Sequence, residues 1–84
     1  MSQDIIKKAG YKISALDIEA TILELKTVKE VCILGIPDSK YGEEIACVFA
    51  GEATGDEISK FCKEKMSSYK IPRIFKSVDA LDRN

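Results

Sequence analysis

The sequence predicts an α+β fold: a small mixed or antiparallel sheet with two helices packed on it, preceded by a short β-hairpin. Three observations carry that expectation. Two near-continuous apolar runs, at residues 31–36 and 45–50, have the length and character of buried strands. Two other stretches repeat apolar residues at helical spacing, each headed by a hydroxyl residue with a carboxylate three positions on. Glycine and proline punctuate the rest, so the elements run strand(s), helix, strand, strand, helix, strand.

Residues 4–14 set Ile5, Ile6, Tyr11 and Ile13 about an Ala9-Gly10 centre. A hairpin turning at the glycine follows, because glycine reaches positive φ without a Cβ clash. Ser14 with Asp17 reads as a capping box with a shortened carboxylate, and Ile18, Ile22 and Leu25 then recur at i, i+4, i+7. That pattern predicts a helix over residues 16–25 with its Ile/Leu stripe buried. Residues 31–36 (VCILGI) are expected to be a strand covered on both faces, ended by the turn chemistry of Pro37-Asp38. A surface loop through Gly42 leads to the second buried strand, residues 45–50, closed by Gly51 and by Thr54-Gly55. Thr54 and Glu57 make another capping box, after which Ile58, Phe61, Cys62 and Met66 form one apolar helical face. Pro72 bars helix continuation, and Ile74, Phe75 and Val78 suggest a last short strand.

Size and composition bound the function. Eighty-four residues and 9.3 kDa make one small domain, too little chain for a complete enzyme with its own deep substrate pocket. Hydrophobic residues at 45% and charged residues at 32% describe a soluble globular chain. Thirteen Lys+Arg against fourteen Asp+Glu leave a net charge of -1, so no global field draws the chain to nucleic acid or an anionic membrane. Any polyanion site must be local. The absence of histidine removes the usual general base, the usual neutral metal ligand and any Ser/His or Cys/His pair, and no metal site is expected. Cys32, Cys47 and Cys62 lie among apolar neighbours without CxxC spacing, which predicts small buried hydrophobes in a reducing compartment. The apolar runs are too short to span a bilayer and no signal peptide opens the chain, so a cytoplasmic location is expected.

The physically distinctive segment is Lys7-Lys8-Ala9-Gly10-Tyr11-Lys12, three lysines bracketing a glycine turn. The glycine admits close approach of a ligand and the lysines can meet phosphate charge. Composition alone favours the alternative, a solvated hairpin whose lysines keep an edge from pairing. A second basic group, Lys60, Lys63, Lys65, Lys70 and Arg73, lies on and after the second helix, where a solvated face accounts for it as well. Glu43-Glu44 and Asp56-Glu57 are pairs only in sequence. The latter complements a helix dipole, and neither has the separation of an acid/base couple, so no catalysis is assigned to them.

Residues 4–19, DIIKKAGYKISALDIE, resemble the motif D-x-I-K-x-x-G-Y-x-I-x-x-x-E-I-E that opens the small C-terminal domain of the adenylate-forming enzymes, with Asp17 in place of the usual glutamate. These include acyl-CoA synthetases, peptide-synthetase adenylation domains and luciferases. Further segments fall in order. Residues 31–37 (VCILGIP), followed by Asp38 and Gly42-Glu43, resemble the family's strand and its G-x-P-D…G-E loop, and residues 66–72 (MSSYKIP) resemble its L-x-x-Y-K-x-P motif. Residues 10–13 and 68–73 look more like AMP-dependent acid-CoA ligases than like peptide-synthetase domains.

The resemblance implies a mobile lid domain that partners a large N-terminal domain of the same chain. That domain binds ATP and magnesium with a carboxylic acid. The lid first helps to form acyl-AMP, then rotates to present its other face for attack by a thiol. By motif, Gly10 lines the pantetheine tunnel, Lys12 meets CoA phosphate, and Ala9 and Tyr11 add neighbouring contacts. Tyr69 and Lys63 match positions near the CoA nucleotide, Lys7 matches a lysine that faces the active site, and the hinge falls at Gln3 and Asp4. The family's catalytic adenylation lysine, in P-x-T-x-x-G-K, would lie a few residues beyond Asn84, so residues 1–84 are expected to be inactive alone and to hold no cofactor. No nucleic-acid partner and no membrane span are expected. The alternative from another class is a ferredoxin-like binding or dimerisation module, which has the same element order.

Overall fold

A computed structural model describes residues 5–80. Its first element is the hairpin, β1 (Ile5–Lys8) paired antiparallel with β2 (Tyr11–Ser14), Lys8 opposite Tyr11. The two-residue turn has Ala9 at φ 52° and Gly10 at φ 87°, so alanine shares the left-handed conformation expected of the glycine alone. Both residues are left-handed because a type I′ turn matches the twist of the strands it joins.

Ser14 caps α1 (Ala15–Ile22), its Oγ accepting from the Asp17 N–H at 3.2 Å. The helix stops at Ile22, short of the expected Leu25: the Leu23, Glu24 and Leu25 N–H groups close turns onto Glu19, Thr21 and Ile22, and Leu25 packs on the core from outside the helix. Then β3 (Val28–Asp38) and β4 (Gly42–Gly51) form a long antiparallel pair. The expected loop through Gly42 shrinks to three residues, because Asp38 Oδ2 accepts from the Lys40 and Tyr41 N–H groups and turns the chain back.

Pro37 was expected to end the first strand, yet it sits within β3 opposite Glu43. The edge position explains this. Ile33, four residues earlier and so of the same parity, points its N–H away from β4 to Glu19 Oε2 at 2.9 Å, so proline at position 37 removes no ladder hydrogen bond. Nor is β3 covered on both faces: Ile33 and Val31 are buried, whereas Leu34 is 46% and Ile36 37% exposed. The doubly covered strand is β4, central in the order β3-β4-β5, with Ile45, Ala46, Cys47, Phe49 and Ala50 buried.

Thr54 caps α2 (Gly55–Lys65), accepting from the Glu57 N–H at 3.1 Å. The Glu57 carboxylate accepts from Thr27 Oγ1 instead, tying the helix start to the turn before β3. A single turn, η1 (Ser68–Lys70), precedes β5 (Ile74–Ser77), which lies parallel to β4. Ile18 and Ile22 of α1, Ile58 and Cys62 of α2, and the Val31, Ile33, Cys47 and Phe49 face of the sheet make one core, which Ile6 and Ile13 of the hairpin join. The ferredoxin-like alternative does not fit this topology, because β1 and β2 form a sheet of their own. Cys47 and Cys62 are buried as expected, but Cys32 is only half-buried.

Candidate functional site

The hairpin tip is held against the β3-β4 turn by bonds from three consecutive residues. The Lys7 N–H donates to Glu43 Oε1 at 2.7 Å, Lys8 Nζ reaches Glu44 Oε2 at 2.8 Å, and the Ala9 N–H donates to Tyr41 O at 2.8 Å. Lys8 is therefore not one of three free cations: it is 7% exposed, its charge is matched by Glu44, and its Nζ lies 5.5 Å from the Tyr41 ring centroid. A Cβ on Gly35 would lie 3.1 Å from the Glu43 carboxylate, so glycine there leaves the space that the carboxylate fills.

Strand pairing sorts the remaining side chains by face. Lys7 and Lys12 are direct cross-strand partners, both exposed, and share the outer face of the hairpin. Like charges so placed repel each other, so the pairing itself adds no stability. Tyr11 is on the other face, with Lys8, and its ring stacks on Tyr69 of η1, the centroids 3.9 Å apart and the planes 12° from parallel. Lys70 Nζ lies 6.0 Å from the Tyr69 centroid. Gly10 stands at the tip, and among the described residues a Cβ built there meets nothing within 4 Å.

Of the residues singled out in the sequence, the structure thus brings Lys7, Ala9, Gly10, Tyr11, Lys12 and Tyr69 to one region. Lys63 is not joined to it. That lysine lies on α2, flanking a shallow groove with Asp56, Glu57, Ser59 and Lys60. Gln3 and Asp4, where the hinge was expected, lie outside the described residues. Sequence reasoning missed Glu43 and Glu44 as the groups that fasten the hairpin. No local signal marked them, since two carboxylates beside a turn glycine are equally what a solvated loop shows.

Residues 5–14 contain no carboxylate, imidazole or thiol, so the ionisable groups at the tip are the lysine ammoniums and the Tyr11 phenol, and no thiolate nucleophile stands there. The buried thiols do not supply one: burial pushes Cys47 up to about 12, with the neighbouring thiols adding to it, and pushes Cys62 up to about 11. Among the described residues no group of three or more His, Cys, Asp or Glu side chains is placed to hold a metal ion. No helix among them is long and apolar enough to cross a membrane.

Compared with known proteins, residues 17–84 match the family model of the AMP-binding enzyme C-terminal domain. The chain is 37% identical to the malonate–CoA ligase of Arabidopsis thaliana over 97 residues, which takes in 99% of this chain and 16% of that enzyme. The o-succinylbenzoate CoA synthetase of Bacillus subtilis, solved with the acyl-adenylate intermediate OSB-AMP, superposes with a TM-score of 0.89 at 30% identity, over 96% of this chain and 17% of that one. A double mutant of the same synthetase, bound with its product analogue OSB-NCoA, gives 0.92 at 28% identity, over 100% of this chain and 18% of that one. The chain therefore spans about one sixth of the length of the relatives it matches.

Proposed function

The chain belongs to the AMP-binding enzyme C-terminal domain family, and from that premise we propose that it is the mobile domain of an AMP-forming acyl-CoA ligase, contributing the CoA and pantetheine side of the thioester-forming step. The observation that carries this reading is the hairpin tip. Gly10 has open space beyond it, Tyr11 is stacked behind it, and Lys7 and Lys12 rise together from its outer face. A thin passage beside a glycine suits a pantetheine arm, and paired ammonium groups suit the phosphates at its far end. ATP and magnesium, the acid and the acyl-adenylate would be held chiefly by a large partner domain in a cytoplasmic enzyme. Residues 1–84 would not adenylate alone, because the pocket for ATP and the acid would belong to that partner domain.

Lys12 provides the test, in the full-length ligase, with malonate and o-succinylbenzoate as the first acids tried because relatives act on them by name. Lys12→Ala should raise the KM for CoA by the worth of one charge-assisted contact, about 1.5–3 kcal/mol, and leave pyrophosphate exchange unchanged. Equal loss in both half-reactions would make Lys12 structural, and pyrophosphate exchange by residues 1–84 alone would overturn the assignment.

A further inference from the structure

A two-stranded hairpin of four-residue strands has little stability of its own, and this one turns through two left-handed residues. Its conformation must be imposed from outside. Besides the buried Ile6 and Ile13, the Ala9 N–H bond to Tyr41 O and the Tyr11–Tyr69 stack, the imposing groups include carboxylates on consecutive residues of β4. Glu43 takes the Lys7 N–H, standing in for the backbone acceptor that a neighbouring strand would supply. Glu44 Oε2 accepts from Lys8 Nζ and, at 2.9 Å, from the Ile45 N–H, so the carboxylate is itself fixed before it meets the lysine.

We infer that Lys8, Glu43 and Glu44 are positioning residues for the thioester-forming step, a clamp that fixes Ala9 to Lys12 where CoA is to pass. This rests on the function proposed above and deepens it. A buried ion pair is a poor way to gain stability, since an apolar pair of similar volume serves as well or better, and what it adds is a defined geometry. Here the geometry is that of the segment between Lys8 and Tyr11, which contains the tip. Gly35 belongs to the same device, as the residue whose missing Cβ makes room for Glu43.

The experiment uses the full-length ligase and reads the two half-reactions separately, adenylation by pyrophosphate exchange and thioester formation by CoA-dependent release of AMP. Glu43→Ala removes the acceptor, and Glu43→Gln keeps one. A double variant, Lys8→Met with Glu44→Gln, removes both buried charges without stranding either. Glu43→Ala and the double variant should lower thioester formation by on the order of tenfold to a hundredfold, the scale of a misplacement near 1 Å, with adenylation within about twofold. Glu43→Gln should recover most of the loss, and hydrogen exchange at the Lys7 and Ala9 amides should rise in the impaired variants alone. If those amides lose protection while thioester formation holds its wild-type rate, the clamp is not a positioning device. Loss of both half-reactions together in Glu43→Ala would likewise overturn it in favour of a purely structural role. Failure of the underlying reading looks different: Gly10→Leu would then leave thioester formation intact as well.

Discussion

The rings of Tyr11 and Tyr69 lie 3.9 Å apart between centroids and 12° from parallel, joining the second strand of the hairpin to the turn that precedes the last strand. Lys8, the cross-strand partner of Tyr11, is bound to Glu44. The closing pair of the hairpin is thus fastened on both sides, by an ion pair at one residue and a ring stack at the other. Tyr11 nonetheless keeps 48% of its surface, so the stack presents an aromatic face outward.

The stack should be measurable as a coupling. Aromatic pairs contribute about 0.5–1.5 kcal/mol beyond the area they bury. In a double-mutant cycle of Tyr11→Ala and Tyr69→Ala, read by urea denaturation, the two losses should fall short of additivity by that amount. Tyr69→Phe, which keeps the ring, should retain most of the coupling.

Glycines at positive φ should separate by surroundings. A Cβ on Gly51 would strike the Thr27 carbonyl oxygen and come within 2.7 Å of the Lys29 nitrogen, both backbone atoms that cannot swing aside, at φ 130°. Gly51→Ala should therefore cost about 3 kcal/mol or more. Gly10→Ala meets open space and bears only the left-handed penalty, about 1 kcal/mol. Denaturant midpoints of the two variants check the order.

What the sequence made legible follows the range of the interaction. The caps at Ser14 and Thr54 were readable because each is a bond to the N–H three residues on. The two helices were readable from periodicity, and the two long strands from their apolar runs. Pro37 misled because whether a proline ends a strand depends on which edge its missing N–H faces, and sequence order does not say which strand lies outermost. Lys8 and Glu44 are 36 residues apart, and nothing local marks either as buried. Tyr11 and Tyr69 came under notice together only through the family resemblance, since no periodicity connects a strand to a single helical turn so far along the chain.

The buried thiols give the fold a dependence on alkaline pH. Burial raises Cys47 from 9.0 to about 12 by disfavouring its thiolate, while the unfolded chain ionises near the lower value. Protons are then bound more tightly in the folded state, so stability is fully present below pH 9 and is lost as pH rises toward 12. Urea midpoints measured from pH 7 to 10 should begin to fall above pH 9, more gently in Cys47→Ala. At pH 8 a thiol reagent should modify half-buried Cys32 in the native chain and reach Cys47 and Cys62 only in denaturant.

Gly10 offers the sharpest functional test, because a domain that presents different faces to two half-reactions predicts a lesion in one of them. Among the described residues nothing lies within 4 Å of a Cβ at Gly10, so a leucine there would meet none of them at its Cβ and would bear the left-handed backbone penalty. The Gly10→Leu ligase should fold, which a melting curve establishes first. Its adenylation should stay within a small factor of wild type. Thioester formation should fall by roughly a hundredfold or more, since a thiol held about 1 Å from its line of attack already loses that much. A Gly10→Leu enzyme that adenylates poorly, yet passes the acyl-AMP it makes to CoA at the normal rate, would contradict the passage role and leave the hairpin as scaffold.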